Sequence, residues 1–193
     1  MTTENLSFNQ LSEKAKQTAI SYYSERVLDE GWKEAVYEDA KEIAHLMGID
    51  ISDIYYSGFC CQGDGACFEG SFAYKAQALK NVKQYAPLDE KLHRIAKDFT
   101  DIQRKAFYKL EGKIVHNDRY YHSNSVDISV EHADDMYRDI GSLEKDMQDV
   151  LRSFMDWIYR ELEDAYYAAI SEENVAEYFN DDETVFEESG HIQ

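Results

Sequence analysis

Apolar side chains recur at intervals of three or four residues in several stretches of the chain. This spacing places the apolar side chains on one face and predicts amphipathic helices. Ser12 and Ser171 each stand directly before such a stretch, where a serine hydroxyl can cap a helix, and Gly48 stands directly after one. The predicted helices cover residues 12–29, 32–47, 76–85, 89–105, 142–170 and 171–179.

Other stretches alternate apolar and polar residues with a period of two, which is typical of half-buried strands. The alternating segment 67–74 and segment 49–61, which is rich in β-branched and aromatic residues, flank a turn rich in glycine and predict one β-hairpin. Segments 108–114 and 120–130 predict a second, and a short strand is expected over 184–186. The side chains expected to point inward are Phe68, Phe72, Leu110, Ile114, Val126 and Ile128.

These elements predict an α+β protein. We expect an antiparallel four-stranded sheet from two β-hairpins, packed against several α-helices that include one long C-terminal helix. The length of 193 residues suits a single α+β domain over 1–170, followed by an acidic C-terminal helix and tail over 171–193. The sequence shows no apolar run of membrane-spanning length and no secretion leader, so we expect a cytoplasmic protein without a membrane partner.

The charge of the chain is strongly negative and unevenly distributed. The formal net charge is −19, and residues 133–193 alone contain 18 acids and 4 bases. Direct binding to nucleic acid needs a basic surface and is therefore not expected. The acids form either a solubilising tail or a surface for a basic partner. The candidate partner-binding residues are Asp149, Asp156, Glu163, Asp164, Glu172, Glu173, Glu177, Asp181, Asp182 and Glu183.

Little in the sequence indicates catalysis. The first hairpin turn offers a candidate contact loop, but it lacks the lysine and the following helix of a phosphate-binding loop. Its residues are Gln62, Gly63, Asp64 and Gly65. Cys60, Cys61 and Cys67 show no CxxC spacing, and we interpret them as small residues that fill strand positions. We therefore predict no catalytic residues, no metal site and no cofactor, and a protein that is not an enzyme.

Four segments together resemble a known family. They are residues 6–16, residues 32–42, the hairpin sequence YSGF…QGDGACFEG over 56–70, and residues 154–163. They look like small acidic accessory proteins of tailed phages and prophages, most of them uncharacterised and some labelled antitoxin of a toxin–antitoxin stability system. The Cys60-Cys61 pair departs from the Trp-Ser or Ser-Ser that this resemblance leads us to expect.

The resemblance implies an accessory gene of a mobile element, and the charge is compatible with that. We expect a non-catalytic inhibitor of host defence, either an anti-CRISPR or an anti-restriction protein. It would act by DNA mimicry or steric block on a basic nuclease or CRISPR effector in the host cytoplasm. Two alternatives stay open. One is an antitoxin that neutralises a basic toxin, and the other is a small enzyme or ligand-binding domain that uses the Gly63-Asp64-Gly65 loop.

Overall fold

A computed structural model describes residues 6–28, 30–135 and 139–193. It confirms the predicted α+β class. The helices are α1 (Glu13–Val27), α2 (Glu34–Met47), α3 (Ala78–Tyr85), α4 (Glu90–Lys105), α5 (Ser142–Ala169) and α6 (Glu172–Asp181). The strands are β1 (Leu6–Ser7), β2 (Ile49–Tyr56), β3 (Ala66–Phe72), β4 (Leu110–His116), β5 (Val126–His132) and β6 (Val185–Phe186). Among the described residues, no helix combines the length and apolar character needed to cross a membrane.

Side-chain caps determine where several helices begin. The Ser12 hydroxyl accepts a hydrogen bond from the backbone N–H of Ala15 at 3.3 Å, and the Ser171 hydroxyl accepts one from that of Asn174 at 3.4 Å. Both predicted serine caps are thereby confirmed, since each satisfies a backbone donor that the helix itself leaves unpaired. Gly48 follows α2 with a φ of 91°, which explains the helix stop predicted there.

The two hairpins form one antiparallel sheet in the order β2-β3-β4-β5. Ile114 of β4 pairs with Gly70 on one side and with Ile128 on the other. All six side chains predicted to point inward are buried. The prediction holds because side chains alternate between the two faces of a strand, so one apolar series defines the covered face.

Several predicted boundaries are wrong, and local hydrogen bonds explain two of them. Strand β2 ends at Tyr56 and not at residue 61, since the following segment is a loop closed by a 3.0 Å bond from the Ser57 N–H to the Gly65 carbonyl. Strand β5 begins at Val126 and not at residue 120. There the Ser125 N–H and hydroxyl both donate to the His122 carbonyl and form a turn.

Two aromatic residues also lie outside the elements predicted for them. Tyr108 was expected in a strand but adopts a left-handed φ of 63°, and β4 starts only at Leu110. Trp32 was expected to open the second helix but lies in a 3-10 turn, Glu30–Lys33, before α2. In both cases the residue continues the apolar pattern of its neighbours while the backbone has not yet entered the regular element.

The chain groups into two compact units. The terminal unit combines the chain up to Ala35 with Glu163–Gln193, and the central unit is Val36–Leu162. The predicted single domain over 1–170 with an acidic helix and tail over 171–193 stays a prediction. The core of the terminal unit contains Phe8, Leu11, Ala15, Ala19, Tyr23, Val175, Phe179 and Phe186. The C-terminal acidic segment therefore contributes apolar side chains to a core that it shares with the N-terminal residues.

Aromatic side chains connect the sheet of the central unit with helices α4 and α5. The ring of Phe72 lies 6.1 Å from that of Phe99, and the ring of Phe68 lies 6.0 Å from that of Phe154. Both pairs are edge-to-face, an arrangement that adds to the gain from burial. At the end of α4, the buried Gln103 amide donates to the Leu110 carbonyl at 2.7 Å and accepts from its N–H at 3.2 Å. A buried polar side chain is thus satisfied where β4 begins.

We expect the Tyr85 hydroxyl to lose its proton at an unusually high pH. Its hydroxyl donates to Asp39 Oδ1 at 2.6 Å, and this bond to a carboxylate raises the pKa of Tyr85 to about 12. Because the pKa in the folded state is raised, the bond stabilises the fold fully below the ordinary tyrosine pKa of about 10. That contribution is lost as the pH rises through about 12.

The ultraviolet absorbance of tyrosinate, compared between wild type and Tyr85→Phe, isolates this group. The difference curve should have its midpoint near pH 12, and Asp39→Asn should move the midpoint down. A difference curve centred near the ordinary value of about 10 would contradict the assignment.

Candidate functional site

Helix α6 buries one face and exposes acids on the other. Val175 and Phe179, four residues apart, are buried in the terminal core. Glu173, Glu177 and Asp181, also four residues apart, are all exposed. A spacing of four residues corresponds to a rise of about 6 Å along a helix. Together with exposed Glu172, Asp182 and Glu183, these residues make up what we call the α6 acidic surface.

Basic side chains do not compensate this surface. Residues 163–193 contain ten acids and no lysine or arginine. Within the described ranges, none of the six acids of the α6 acidic surface forms an ion pair with a basic side chain. Like charges four residues apart on a helix repel one another and destabilise it. The arrangement therefore costs stability in the isolated protein.

The helix dipole adds to this loss of stability at the C-terminal end of α6. Glu172 and Glu173 lie in the first turn of α6, where a negative charge is favourable. The last turn contains no basic residue and ends at Asp181, with Asp182 as the C-cap residue. The C-terminal end of a helix carries partial negative charge, so acids there are unfavourable. The side chain of Asp182 accepts a hydrogen bond from the Thr184 hydroxyl at 3.1 Å, and this bond brings no positive charge to the helix end.

The remaining candidate acids lie on α5 and are placed differently. Asp149 and Asp156 are exposed and belong to the central unit, whereas Glu163 and Asp164 belong to the terminal unit. Asp149 lies 3.8 Å from the Arg152 guanidinium, so its charge is partly balanced. Glu163 is half-buried. Six of the ten predicted residues are thus brought together at α6, and the four on α5 are separate from that group in sequence.

The predicted contact loop between β2 and β3 is organised around Asp64. Its Oδ2 atom accepts hydrogen bonds from the backbone N–H groups of Cys60 at 2.9 Å and of Cys61 at 2.7 Å. Gly63 adopts a φ of 101°, and Gly65 lies so close to His122 that an added Cβ would stand 2.8 Å from the imidazole. The Gly-Asp-Gly sequence is therefore required to form the turn itself.

The three cysteines have two different environments. Cys67 is buried in β3, as predicted for a strand-filling residue, and burial raises the pKa of its thiol. For Cys60 and Cys61 that interpretation is wrong, because both are exposed in the loop. Their Sγ atoms lie 3.7 Å apart, and both lie within 4.8 Å of a carboxylate oxygen of Asp64. Two adjacent cysteines with an aspartate three positions later were the available signal for this cluster.

An aromatic cluster lies on the sheet around Glu69 and includes one tyrosine from each of the pairs Tyr55-Tyr56 and Tyr120-Tyr121. The rings of Tyr55 and Tyr121 are stacked at 5.3 Å, and the Tyr55 hydroxyl donates to Glu69 at 3.1 Å. This hydrogen bond raises the pKa of Tyr55. The backbone N–H of His116 donates to the other oxygen of Glu69 at 2.9 Å. Glu69 thus orders the cluster by binding both neighbours.

The comparison with known families assigns the chain to one of them. A family model described as "Domain of unknown function (DUF8835)" matches residues 32–172. The chain belongs to this family. The DUF8835 match includes the four-stranded sheet, the Cys60–Gly65 loop and helix α5, and it ends at the first residue of α6. Most of the α6 acidic surface therefore lies outside it. No curated protein and no solved structure matches the chain.

Proposed function

We propose that this DUF8835 protein is a non-catalytic acidic protein that binds a basic partner protein through the α6 acidic surface. The observation that carries this proposal is the helix that ends in unpaired acids, where both neighbouring charges and the helix dipole are unfavourable. A lysine- or arginine-rich partner would remove that repulsion on binding. The net charge of −19 would also steer a basic partner toward the protein.

The charge density of α6 supports a partner that normally binds nucleic acid. A helix of 10 residues is about 15 Å long. Duplex DNA carries about nine phosphate charges over that length, and the α6 acidic surface presents six carboxylates. The two densities are of the same order. With the resemblance to phage accessory proteins, this favours an anti-CRISPR or anti-restriction inhibitor that occupies a basic channel in a host nuclease or CRISPR effector.

The two alternatives differ in how far the site supports them. An antitoxin that neutralises a basic toxin would use the same α6 acidic surface, and the identity of the partner distinguishes it from an inhibitor of host defence. A small enzyme or ligand-binding domain that uses the Gly63-Asp64-Gly65 loop is less supported, since two of these three residues are glycines that offer no side chain for chemistry.

Charge reversal on α6 tests the proposal. The partner is first recovered from host lysate at low salt and identified, and its association rate is then measured by stopped flow. The triple variant Glu173→Lys, Glu177→Lys and Asp181→Lys should associate at least about tenfold more slowly at low salt, because it lacks electrostatic steering. The difference should shrink as salt rises, since charges are screened within about 8 Å at physiological ionic strength.

A matched variant controls for net charge. Glu38→Lys, Glu42→Lys and Asp98→Lys change the charge equally at exposed helical positions of the central unit. This control should associate much faster than the α6 variant, and circular dichroism should show both variants folded. Equal association rates for wild type and the α6 variant at both salt concentrations would refute the proposal. The aromatic cluster around Glu69 would then become the first alternative interface to test.

A further inference from the structure

We propose that the loop between β2 and β3 binds a thiophilic divalent cation of the zinc class through Cys60, Cys61 and Asp64. The inference is independent of the α6 acidic surface, and it departs from the sequence-based prediction of no metal site. It rests on three potential ligand atoms, two thiol sulfurs and one carboxylate oxygen, that all lie within 4.8 Å of one another. Two thiolates and a carboxylate belong to the ligand types found around zinc in proteins.

The distance between the sulfurs matches tetrahedral coordination. A zinc–sulfur bond is about 2.3 Å long, and two such bonds at a tetrahedral angle place the sulfurs about 3.8 Å apart. The Sγ atoms of Cys60 and Cys61 lie 3.7 Å apart. A cation could therefore bridge the two sulfurs with little change in the distance between them.

The loop holds these ligands in place before any cation binds. Asp64 Oδ2 accepts the N–H groups of both cysteines, and the Asp64 N–H donates to the Cys61 carbonyl at 3.1 Å. A carboxylate has about four acceptor sites, so Asp64 can hold the loop and ligate a cation at the same time. Such preformed ligands reduce the ordering cost of binding.

Aromatic packing anchors the segment that leads into the cluster. The Phe59 ring lies 5.5 Å from that of Tyr56 and 5.5 Å from that of Tyr159. The Tyr159 hydroxyl also donates to the Gly58 carbonyl at 3.3 Å. The backbone just before Cys60 is thereby attached to α5. This attachment restricts the movement of the loop that contains the two thiols.

The ligand types determine which cations bind, and three ligands leave one tetrahedral coordination position open. Among divalent cations, thiolates favour zinc and cadmium over magnesium and calcium, which prefer oxygen ligands. Three protein ligands leave the fourth tetrahedral position for water or for a group from another molecule, and both cysteines are exposed to solvent. Each thiol must lose its proton to bind, so binding releases two protons and weakens as the pH falls.

Titration of the reduced, chelator-treated protein with Cd²⁺ alone tests the site. Binding should produce the ultraviolet thiolate-to-cadmium absorption band, saturating at one ion per chain, and Zn²⁺ should abolish the band by competition. Cys60→Ser and Cys61→Ser should each weaken binding by more than the 10- to 100-fold that loss of an outer partner typically costs. Repeating the titration at lower pH should show weaker binding.

Two further variants make the test specific. Cys67→Ser removes the buried thiol of β3 and should leave cadmium binding unchanged. Asp64→Asn retains an oxygen that can accept the two loop N–H groups but removes the charged ligand, so binding should weaken while the fold measured by circular dichroism is kept. The proposal would be overturned if wild type gave no band, if the loss followed Cys67→Ser, or if Ca²⁺ competed as well as Zn²⁺.

Discussion

Replacing Phe154 with alanine will lower the free energy of unfolding by about 3–5 kcal/mol. Phe154 is fully buried at 0% exposure in the middle of α5. Its ring meets Phe68 of β3 edge-to-face and stacks on Trp157 at 5.6 Å. The substitution removes apolar contact with the sheet and leaves a cavity, and a close-packed core closes such cavities only in part.

Urea or guanidinium unfolding measures this loss. The matched control is Leu88→Ala, at a position that is 93% exposed in the same unit, where the change should stay within about 0.5 kcal/mol. A loss for Phe154→Ala below about 1 kcal/mol would mean that the ring is not enclosed as described. It would show that the apolar face of α5 is wrongly assigned.

Replacing Phe179 with alanine will destabilise the terminal unit by a similar 3–5 kcal/mol. Phe179 is 2% exposed, and its ring lies 5.4 Å from that of Phe8 and 5.1 Å from that of Phe186. The three rings come from the two ends of the sequence, and β1 and β6 pair beside them. Loss of the central ring removes contacts that hold α6 against the N-terminal residues.

The neighbouring residue supplies the control for this prediction. Tyr178 is of similar size on the same helix but is 43% exposed, so Tyr178→Ala should cost less than about 1 kcal/mol. Hydrogen exchange of the α6 amides should accelerate strongly in Phe179→Ala and little in Tyr178→Ala, because exchange reports local opening. Equal small effects from both substitutions would support a solvated tail over a packed helix.

The packing of Phe179 also bears on the proposed function. An acidic tail without fixed structure would present its charges at variable spacing, whereas a helix attached through Val175 and Phe179 presents them at intervals of one turn. Phe179→Ala should therefore weaken binding of a basic partner even though it leaves every carboxylate in place. A surface whose affinity depended on net charge alone would not respond to this substitution.

Local patterns predicted the regular elements well. The period of two identified covered side chains on three strands of the sheet, β3, β4 and β5, and serine caps identified where α1 and α6 begin. These features depend on the residue and its near neighbours in sequence, namely the alternation of a strand or a single hydroxyl three residues from an N–H group. That information is present in the sequence before any tertiary contact forms.

The loop between β2 and β3 shows where local sequence patterns fail to predict the structure. The stretch rich in β-branched and aromatic residues that begins at Ile49 was taken to run to residue 61, so residues 57–61 were predicted as strand, and Cys60 and Cys61 were interpreted as strand fillers. The actual conformation is determined by one carboxylate, Asp64, which accepts two backbone N–H groups, and by the close approach of His122 to Gly65. Hydrogen bonds of this kind compete with strand pairing, and hydrophobic periodicity does not report them.

The sequence by itself determined the α+β class, the covered face of each hairpin and the concentration of acids in the last third of the chain. Only the tertiary structure decided that Phe8 meets Phe179 and Phe186, that the predicted acidic helix packs on the N-terminal residues, and that two thiols and a carboxylate form one cluster. The reason is that periodicity shows which face of an element is apolar but not which distant element will cover it. That choice depends on contacts between residues far apart in sequence.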